Sequence, residues 1–453
     1  MSWRSSRYNV YFEEDQVKVA YNSRTGEYLE FDLEGWELAQ RLIAAPNTPQ
    51  DDVKARRVHE SLVERGFLTP DTFDELESLI GRNREWSTGD QMILSIALTQ
   101  DCNFDCTYCF EAHLKNTGIS PEVQERVIAY VRRKVPAMRN LNIDWYGGEP
   151  LLELETLLRM DREITAICAE NGCKFESSIS TNGLLLTEDV VDRLRAETSV
   201  AVVRVCIDGP KDLHDQYRPL AGGGSTFDGI WNNLQYASEH LKVKLRINVD
   251  KANWRRADEL LDMVEESPLA KSVHVAIKPI VSARIRPDME AFTPREFAQT
   301  EPELKRHVLN RGLQLDAKPE QSCGHCAVFS QNQFMVDWRG YLYKCSDTFE
   351  PEDAVGRLAD GGATEIDEAK LRPWIEFPTE WDDQCRRCLA LPLCMGGCTF
   401  KRFAVGSDWC GSERYNLREY ARLRYLSQRA KLTAPPSGHQ GLVQLRARRP
   451  EAT

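Results

Sequence analysis

Residues 101–110 read Asp101-Cys102-Asn103-Phe104-Asp105-Cys106-Thr107-Tyr108-Cys109-Phe110. The cysteines Cys102, Cys106 and Cys109 follow the spacing C-x3-C-x2-C, and Tyr108 stands directly before the last of them. Three thiolates this close in the chain can wrap one corner of an iron-sulfur cube, because thiolate is the soft donor such clusters take. One iron is then left open. A zinc ribbon instead closes a tetrahedron with two cysteine pairs and leaves no position free. Plainer uses of the same residues are burial as small apolar side chains or a structural zinc knuckle.

The flanking sequence alternates between strand and helix patterns. Strand-like runs fall at residues 92–98, 141–145, 175–180, 200–207, 243–249 and 273–280, with helix-sized amphipathic segments between most of them. The clearest helix starts at Ser120, with Pro121 in its first turn and Val123, Val127, Ile128 and Val131 on one face. Six such strands predict parallel βα units, whose chemistry gathers at the C-terminal strand ends. The cysteine run follows the first strand. After the second comes Tyr146-Gly147-Gly148-Glu149-Pro150, where two glycines let the backbone approach a ligand and exposed carbonyls and a carboxylate accept from an ammonium group. Alone, that run is also an ordinary strand-to-helix turn. The third strand ends in Ser180-Thr181-Asn182-Gly183 and the fourth in Cys206-Ile207-Asp208-Gly209, short polar groups suited to ribose hydroxyls and a carboxylate. Arg218, ten residues after Asp208, reads on its own as one of many surface arginines. Asn248 and Val249 close the fifth strand. Beyond Pro279 the rhythm stops, and residues 281–320 read as a charged, proline-containing bridge.

The chain has fourteen cysteines. Cys168, Cys173 and Cys206 stand alone and read as small buried apolar residues. The C-terminal third holds Cys323, Cys326, Cys345 (with Gly340, a G-x4-C element), Cys385, Cys388, Cys394, Cys398 and Cys410. These eight make two sets of four, which either iron-sulfur clusters or tetrahedral zinc could use. Residues 7–31 alternate as three short strands, and helices are expected at 33–44 and 50–65, the second closed by Gly66. A connecting helix and linker cover 71–88, and a further helix covers 411–432.

At 453 residues the chain suggests about three domains. Its net charge of -12 argues against a nucleic-acid partner. No run of eighteen apolar residues and no apolar signal core are present, so neither a membrane span nor export is expected. A cytoplasmic location follows, and in that reducing compartment clustered cysteines read as metal ligands.

The cysteine triad with its preceding aromatic resembles the signature of the radical S-adenosylmethionine superfamily, and Gly147-Gly148-Glu149-Pro150 resembles its GGEP motif. The C-terminal array resembles the SPASM extension carried by members that modify peptides and proteins. The resemblance implies an α/β fold: a partial (β/α)6 TIM-like barrel over residues 89–318 and a SPASM domain over 319–432. An N-terminal winged-helix-like peptide-recognition module and linker would occupy 1–88, for which a plain N-terminal cap is the alternative, and a disordered tail 433–453.

It implies S-adenosylmethionine bound by Tyr108, Gly147, Gly148, Glu149, Pro150, Ser180, Asn182, Asp208, Arg218 and Val249. Family members often carry Ser where this chain has Cys206, which removes one ribose contact. Three 4Fe-4S clusters are implied. Cys102, Cys106 and Cys109 would hold the first; Cys323, Cys326, Cys345 and Cys398 the first auxiliary cluster; Cys385, Cys388, Cys394 and Cys410 the second.

The implied activity is oxidative crosslinking, by thioether or carbon-carbon bond, of a ribosomally made precursor peptide with a leader, using a 5'-deoxyadenosyl radical and a reductant such as flavodoxin or ferredoxin. The alternative is an anaerobic sulfatase-maturating enzyme that makes formylglycine. That branch typically has Asp directly after the G-x4-C cysteine, whereas here Ser346 follows Cys345 and Asp347, the candidate base, comes one place later. A rival outside catalysis is an iron-sulfur electron carrier or a zinc scaffold.

Overall fold

A computed structural model describes residues 2–109, 111, 118–280, 290–316, 326–376, 382–405 and 409–433. The chain begins with β1 (Trp3–Ser5), then the antiparallel meander β2 (Asn9–Glu14), β3 (Val17–Asn22) and β4 (Tyr28–Phe31). Asp15 and Gln16, both at positive φ, form the two-residue turn between β2 and β3. Helix α1 (Leu33–Ala44) is capped by Asp32, whose side chain accepts from Gly35 N–H. Helix α2 (Val53–Glu64) starts three residues later than expected, because Asp52 caps it through Ala55 N–H. β5 (Leu68–Pro70) pairs antiparallel with β1, and α3 (Glu75–Ser87) leads into the barrel.

The barrel runs β6 (Gln91–Thr99), α4 (Pro121–Lys134), β7 (Asn140–Gly147), α5 (Leu154–Glu170), β8 (Lys174–Thr181), α6 (Glu188–Glu197), β9 (Val200–Cys206), α7 (Lys211–Tyr217), α8 (Phe227–His240), β10 (Lys242–Val249), α9 (Ala257–Glu265) and β11 (His274–Pro279). All six expected strands are present, parallel, and neighbours in chain order.

The βα rhythm does not stop at Pro279 as expected. Helix α10 (Pro294–Asn310) follows, with a capping box between Thr293 and Glu296, and β12 (Gln314–Leu315) pairs parallel with β11. Pro302 and the density of charge hide a helix whose Phe297, Ala298, Glu301, Leu304 and Val308 are buried. Residues 281–289 and 317–320 of the expected bridge lie outside the described residues.

On the other edge, β13 (Gln333–Val336) pairs parallel with β6, and β14 (Tyr341–Tyr343), β15 (Gly356–Leu358) and β16 (Thr364–Ile366) extend it antiparallel. Barrel and C-terminal region thus share one sheet. Helices α11 (Glu368–Glu376), α12 (Asp383–Arg386), α13 (Leu391–Cys394), α14 (Thr399–Val405) and α15 (Glu413–Thr433) complete the described chain; the expected disordered tail lies outside it from residue 434.

The N-terminal meander packs on α15. Val10, Phe12, Val19 and Tyr21 share a buried cluster with Leu393, Ala421 and Tyr425, and Arg422 pairs with Glu14 at 3.0 Å. Among the described residues no helix is long and apolar enough to cross a membrane.

Inside the barrel wall, Asp161 of α5 is fully buried. It accepts from Trp145 Nε1 at 3.0 Å, Ser177 Oγ at 2.5 Å and Ser199 N–H at 2.7 Å, tying a helix to β7, β8 and the start of β9. Removing it orphans three buried donors. We expect Asp161→Ala to lower the urea midpoint, followed by tryptophan fluorescence, by the equivalent of roughly 3 kcal/mol. Asp161→Asn, which keeps an acceptor, is expected to cost less.

Candidate active site

The C-terminal strand ends open onto a cavity of about 1020 Å³. Cys102, Cys106 and Cys109 all line it, as do Gly147 and Gly148. The two motifs are joined by backbone hydrogen bonds: Gly148 N–H donates to Thr99 O and Glu149 N–H to Asp101 O, both at 2.9 Å. There is no room for side chains at this seam. A Cβ on Gly147, whose φ is +136°, would lie 2.1 Å from Thr99 O, and one on Gly148 would lie 2.4 Å from Asp101 O. On its other side the cysteine loop is tacked to the C-terminal end of α7 and the residues just beyond, through Thr107 N–H to Tyr217 O and Asp105 N–H to Pro219 O, each at 2.9 Å.

Of the ten residues assigned to S-adenosylmethionine, Tyr108, Gly147, Gly148, Ser180, Asn182 and Arg218 face the cavity. Glu149, Pro150, Asp208 and Val249 are buried behind its wall. The expected exposure of the Glu149 carboxylate is therefore corrected. It is fully buried and accepts from Thr181 Oγ1 at 2.7 Å, Asn182 N–H at 2.7 Å and Leu151 N–H at 3.0 Å. Its work is to fasten the end of β7 to the end of β8, leaving the backbone carbonyls of the motif to meet a ligand.

Asp208 acts in a similar way. Its Oδ1 accepts from Asn248 N–H and Nδ2, both at 3.0 Å, and its Oδ2 accepts from Tyr108 Oη. Arg218, far from being a surface residue, is buried and donates to Tyr108 Oη at 2.6 Å. Tyr108, Asp208, Arg218 and Asn248 thus form one network around the cysteine loop.

Gln100, Glu111, Asp144 and Arg204 are the site residues not singled out at the sequence level. Gln100, Glu111 and Tyr146 line the cavity, with both amide atoms of Gln100 and Glu111 Oε1 buried and unpartnered. Burial raises the Glu111 carboxyl to about 8; Tyr146 donates to it, and Asp347 stands close enough to add to the shift. Asp144, Ser178, Ser180 and Arg204 form an inward polar layer: Asp144 accepts from Arg204 Nη1 at 2.6 Å, Ser178 Oγ at 2.9 Å and Ser180 Oγ at 3.2 Å. Polar residues at alternate positions of otherwise apolar strands were the available signal. Cys206, expected to be buried, is half-buried and lines the cavity; Cys168 and Cys173 are buried as expected.

The thiols suit a soft cationic body. Burial raises Cys102 to about 11 and Cys109 to about 12, so thiolates here need positive charge such as cluster irons supply. Among the described residues, no three His, Cys, Asp or Glu side chains converge as one metal ion would require.

In the C-terminal region Cys326, Cys345 and Cys398 are electrostatic neighbours; Cys323 lies outside the described residues. Cys385, Cys388 and Cys394 form a second group, which Cys410 joins through Arg414, a residue set beside both Cys410 and Cys388. Asp347 lines the cavity beside Ser346 and Cys398.

Residues 96–264 match the radical SAM superfamily. The chain therefore contains a radical SAM domain, the enzyme domain that works with S-adenosylmethionine and a 4Fe-4S cluster. A serine-type anaerobic sulfatase-maturating enzyme of Klebsiella pneumoniae is 25% identical over 68% of this chain and 82% of its own. Native anSMEcpe with bound AdoMet and Cp18Cys peptide has a similar fold, with TM-score 0.58 and 18% identity over 76% of this chain and 100% of that one. Streptococcus suis SuiB matches with TM-score 0.52 and 15% identity over 90% of this chain and 98% of its own.

Two outcomes are expected. Gly148→Ala must push the cysteine loop away, so anaerobically reconstituted protein should hold less iron and bind S-adenosylmethionine at least about tenfold more weakly, or about 1.4 kcal/mol; iron assay and calorimetry measure both. His214, buried with Nδ1 accepting from Asp208 N–H at 3.3 Å, has its pKa lowered by burial from 6.5 to about 4. The unfolded chain then binds the extra proton first, so stability is full above pH 6.5 and falls as pH drops toward about 4. This contribution reaches at most roughly 3 kcal/mol, and His214→Gln should flatten it in urea titrations at stepped pH.

Proposed function

We propose that this protein is a peptide maturase that installs an oxidative crosslink, thioether or carbon-carbon, in a ribosomally made precursor peptide. The observation that carries this reading is the reach of the SuiB likeness. Residues 91–453 are about four-fifths of the chain, so a match over 90% has to include part of what precedes them. SuiB has been solved bound to the precursor peptide SuiA. On this reading residues 1–88 engage the leader, 89–318 form the catalytic barrel and 319–432 hold two auxiliary 4Fe-4S clusters on the cysteine sets described above. The enzyme works in the reducing cytoplasm with a flavodoxin or ferredoxin as electron donor.

When bound, the cluster and S-adenosylmethionine supply reductive cleavage and a hydrogen-abstracting radical. The chain's part is placement. Cys102, Cys106 and Cys109 would hold the cluster, and the Gly147–Gly148 backbone would receive the cofactor's amino group. Glu149 holds that backbone against β8, while the Tyr108–Asp208–Arg218–Asn248 network fixes the loop beneath it. Asn182 and Ser180 present polar groups to the cofactor. Asp347, beside Glu111 and Tyr146, accepts the proton released as the new bond forms.

A second reading, formylglycine formation in a sulfatase, is favoured by the sulfatase-maturating enzymes that align with two-thirds of the chain. The product separates the two. Co-expression with a short peptide encoded beside the gene should yield a peptide lacking two hydrogens and unreactive to hydrazide. A hydrazide-reactive aldehyde on a sulfatase peptide would establish the second reading instead, and an unmodified peptide beside an active cluster would refute the first. Cys106→Ala should abolish 5'-deoxyadenosine formation, whereas Asp347→Asn should preserve it and lower product yield by about two orders of magnitude, the usual scale for losing a general base.

A further inference from the structure

Around Cys385, Cys388, Cys394 and Cys410 guanidinium groups hydrogen-bond sulfur directly, whereas Arg218 near the triad is a charge neighbour of Cys106 and donates to Tyr108 instead. Arg402, its side chain only 8% exposed, donates from Nη1 to Cys385 Sγ at 3.2 Å and from Nη2 to Asp382 Oδ2 at 2.7 Å. Asp382 in turn caps α12 through Cys385 N–H at 2.7 Å. Arg414 donates from Nη1 to Cys410 Sγ at 3.5 Å, and the Gln384 amide, oriented oxygen-first, accepts from its Nη2 at 2.7 Å. Two fixed guanidinium groups therefore touch sulfurs at opposite ends of the set.

A buried hydroxyl from the N-terminal region packs against the same set. Tyr8 is fully buried in one apolar cluster with Cys385, Leu391, Met395 and Cys388, and its hydroxyl has no partner. A buried hydroxyl without a partner is destabilising, and a cluster sulfur would relieve it. Cys102, by contrast, accepts from the neutral Phe104 N–H at 3.4 Å and the Asn182 amide at 3.8 Å.

We infer that Arg402, Arg414 and Tyr8 raise the reduction potential of the cluster held by Cys385, Cys388, Cys394 and Cys410, making that site the favoured resting place for the electron released during product formation. The inference rests on the auxiliary-cluster assignment made above. Hydrogen bonds and positive charge at ligand sulfurs favour the more negative, reduced state. No bond is made or broken at this site: one electron enters, its donor is oxidised by one, and the electron leaves to a soluble one-electron carrier of the flavodoxin or ferredoxin type. These are positioning residues that act through the cluster and do not touch substrate.

Redox titration followed by electron paramagnetic resonance, on the full chain reconstituted without oxygen, tests this. The signal is assigned by its loss in a Cys385→Ala/Cys388→Ala variant. In Arg402→Gln the oxidised-to-reduced ratio of that signal, at the potential where the parent is half reduced, should rise about tenfold, equivalent to about 59 mV for one electron. Arg414→Gln and Tyr8→Phe should move it the same way by less, the other signals should not move, and Arg402→Lys should restore most of the shift. A purely structural Arg402 would lower cluster occupancy and leave the midpoint of the remaining population in place, which overturns the inference. An unchanged midpoint at full iron content overturns it too. Should the double cysteine variant lose neither iron nor signal, the auxiliary-cluster assignment itself falls.

Discussion

The architecture of the site depends on a buried carboxylate that no ligand is needed to explain. Glu149 takes three hydrogen bonds from the end of β8 and the turn after β7, and burial raises its pKa while those donors pull it back down. Because its neighbours on the chain, Gly147 and Gly148, are pressed against the carbonyls of Thr99, Gln100 and Asp101, the clasp positions two things together. It fixes the strand ends, and it fixes the height at which the cysteine loop leaves β6. A larger residue at either glycine, or a lost acceptor at Glu149, would move both. This coupling explains why a pair of glycines and an acid sit together at the mouth of a barrel whose chemistry depends on a loop from the neighbouring strand.

Much of this was legible in the sequence, for reasons that differ by level. The six barrel strands carry apolar runs bounded by helix caps such as Ser120, a signal local to each segment. The cysteine triad was legible because its spacing is chemically restrictive. What escaped notice is non-local or disguised. β1 and β5 are three-residue strands that, among the described residues, pair only with each other, so neither shows a pattern alone. The α10–β12 unit was hidden by Pro302 and by charges that solvate one face. Glu149 was read as facing a ligand because a conspicuous acid beside two glycines invites that view; only the position of Thr181 and Asn182 reveals where its oxygens point. Gln100 and Glu111 are single polar residues beside a stronger motif, and nothing in one sequence separates them from loop residues.

The continuous sheet has a mechanical consequence. β13 pairs with β6, the strand that delivers the cysteine triad, and β14 lies next to it and ends two residues before Cys345. The separation between the triad and the first C-terminal cysteine set is therefore fixed by strand pairing, which holds registry better than a hinge between two packed bodies would. Lys344, buried just after β14, donates to Ser330 O and Gln333 O, each at 2.6 Å, and so pins the start of β13 to the segment that leads to Cys345.

The outer cysteine set is held differently. Its helices, Asp383–Arg386 and Leu391–Cys394, are four residues long, and isolated helices shorter than about 12–15 residues are marginal in water. Local propensity cannot hold Cys385, Cys388 and Cys394 in place. Three outside supports do: Leu76, Leu79 and Ile80 of α3 with Tyr8 on one side, α15 on another through Leu393, Ala421 and Tyr425, and the Arg402–Asp382 pair at the helix start. Two of these supports come from the N-terminal eighty-seven residues or pack directly against them. The N-terminal region is thus a structural wall of the outer set as well as a candidate recognition surface. A shift of α3 or of Tyr8 would therefore change the packing around Cys385 and Cys388.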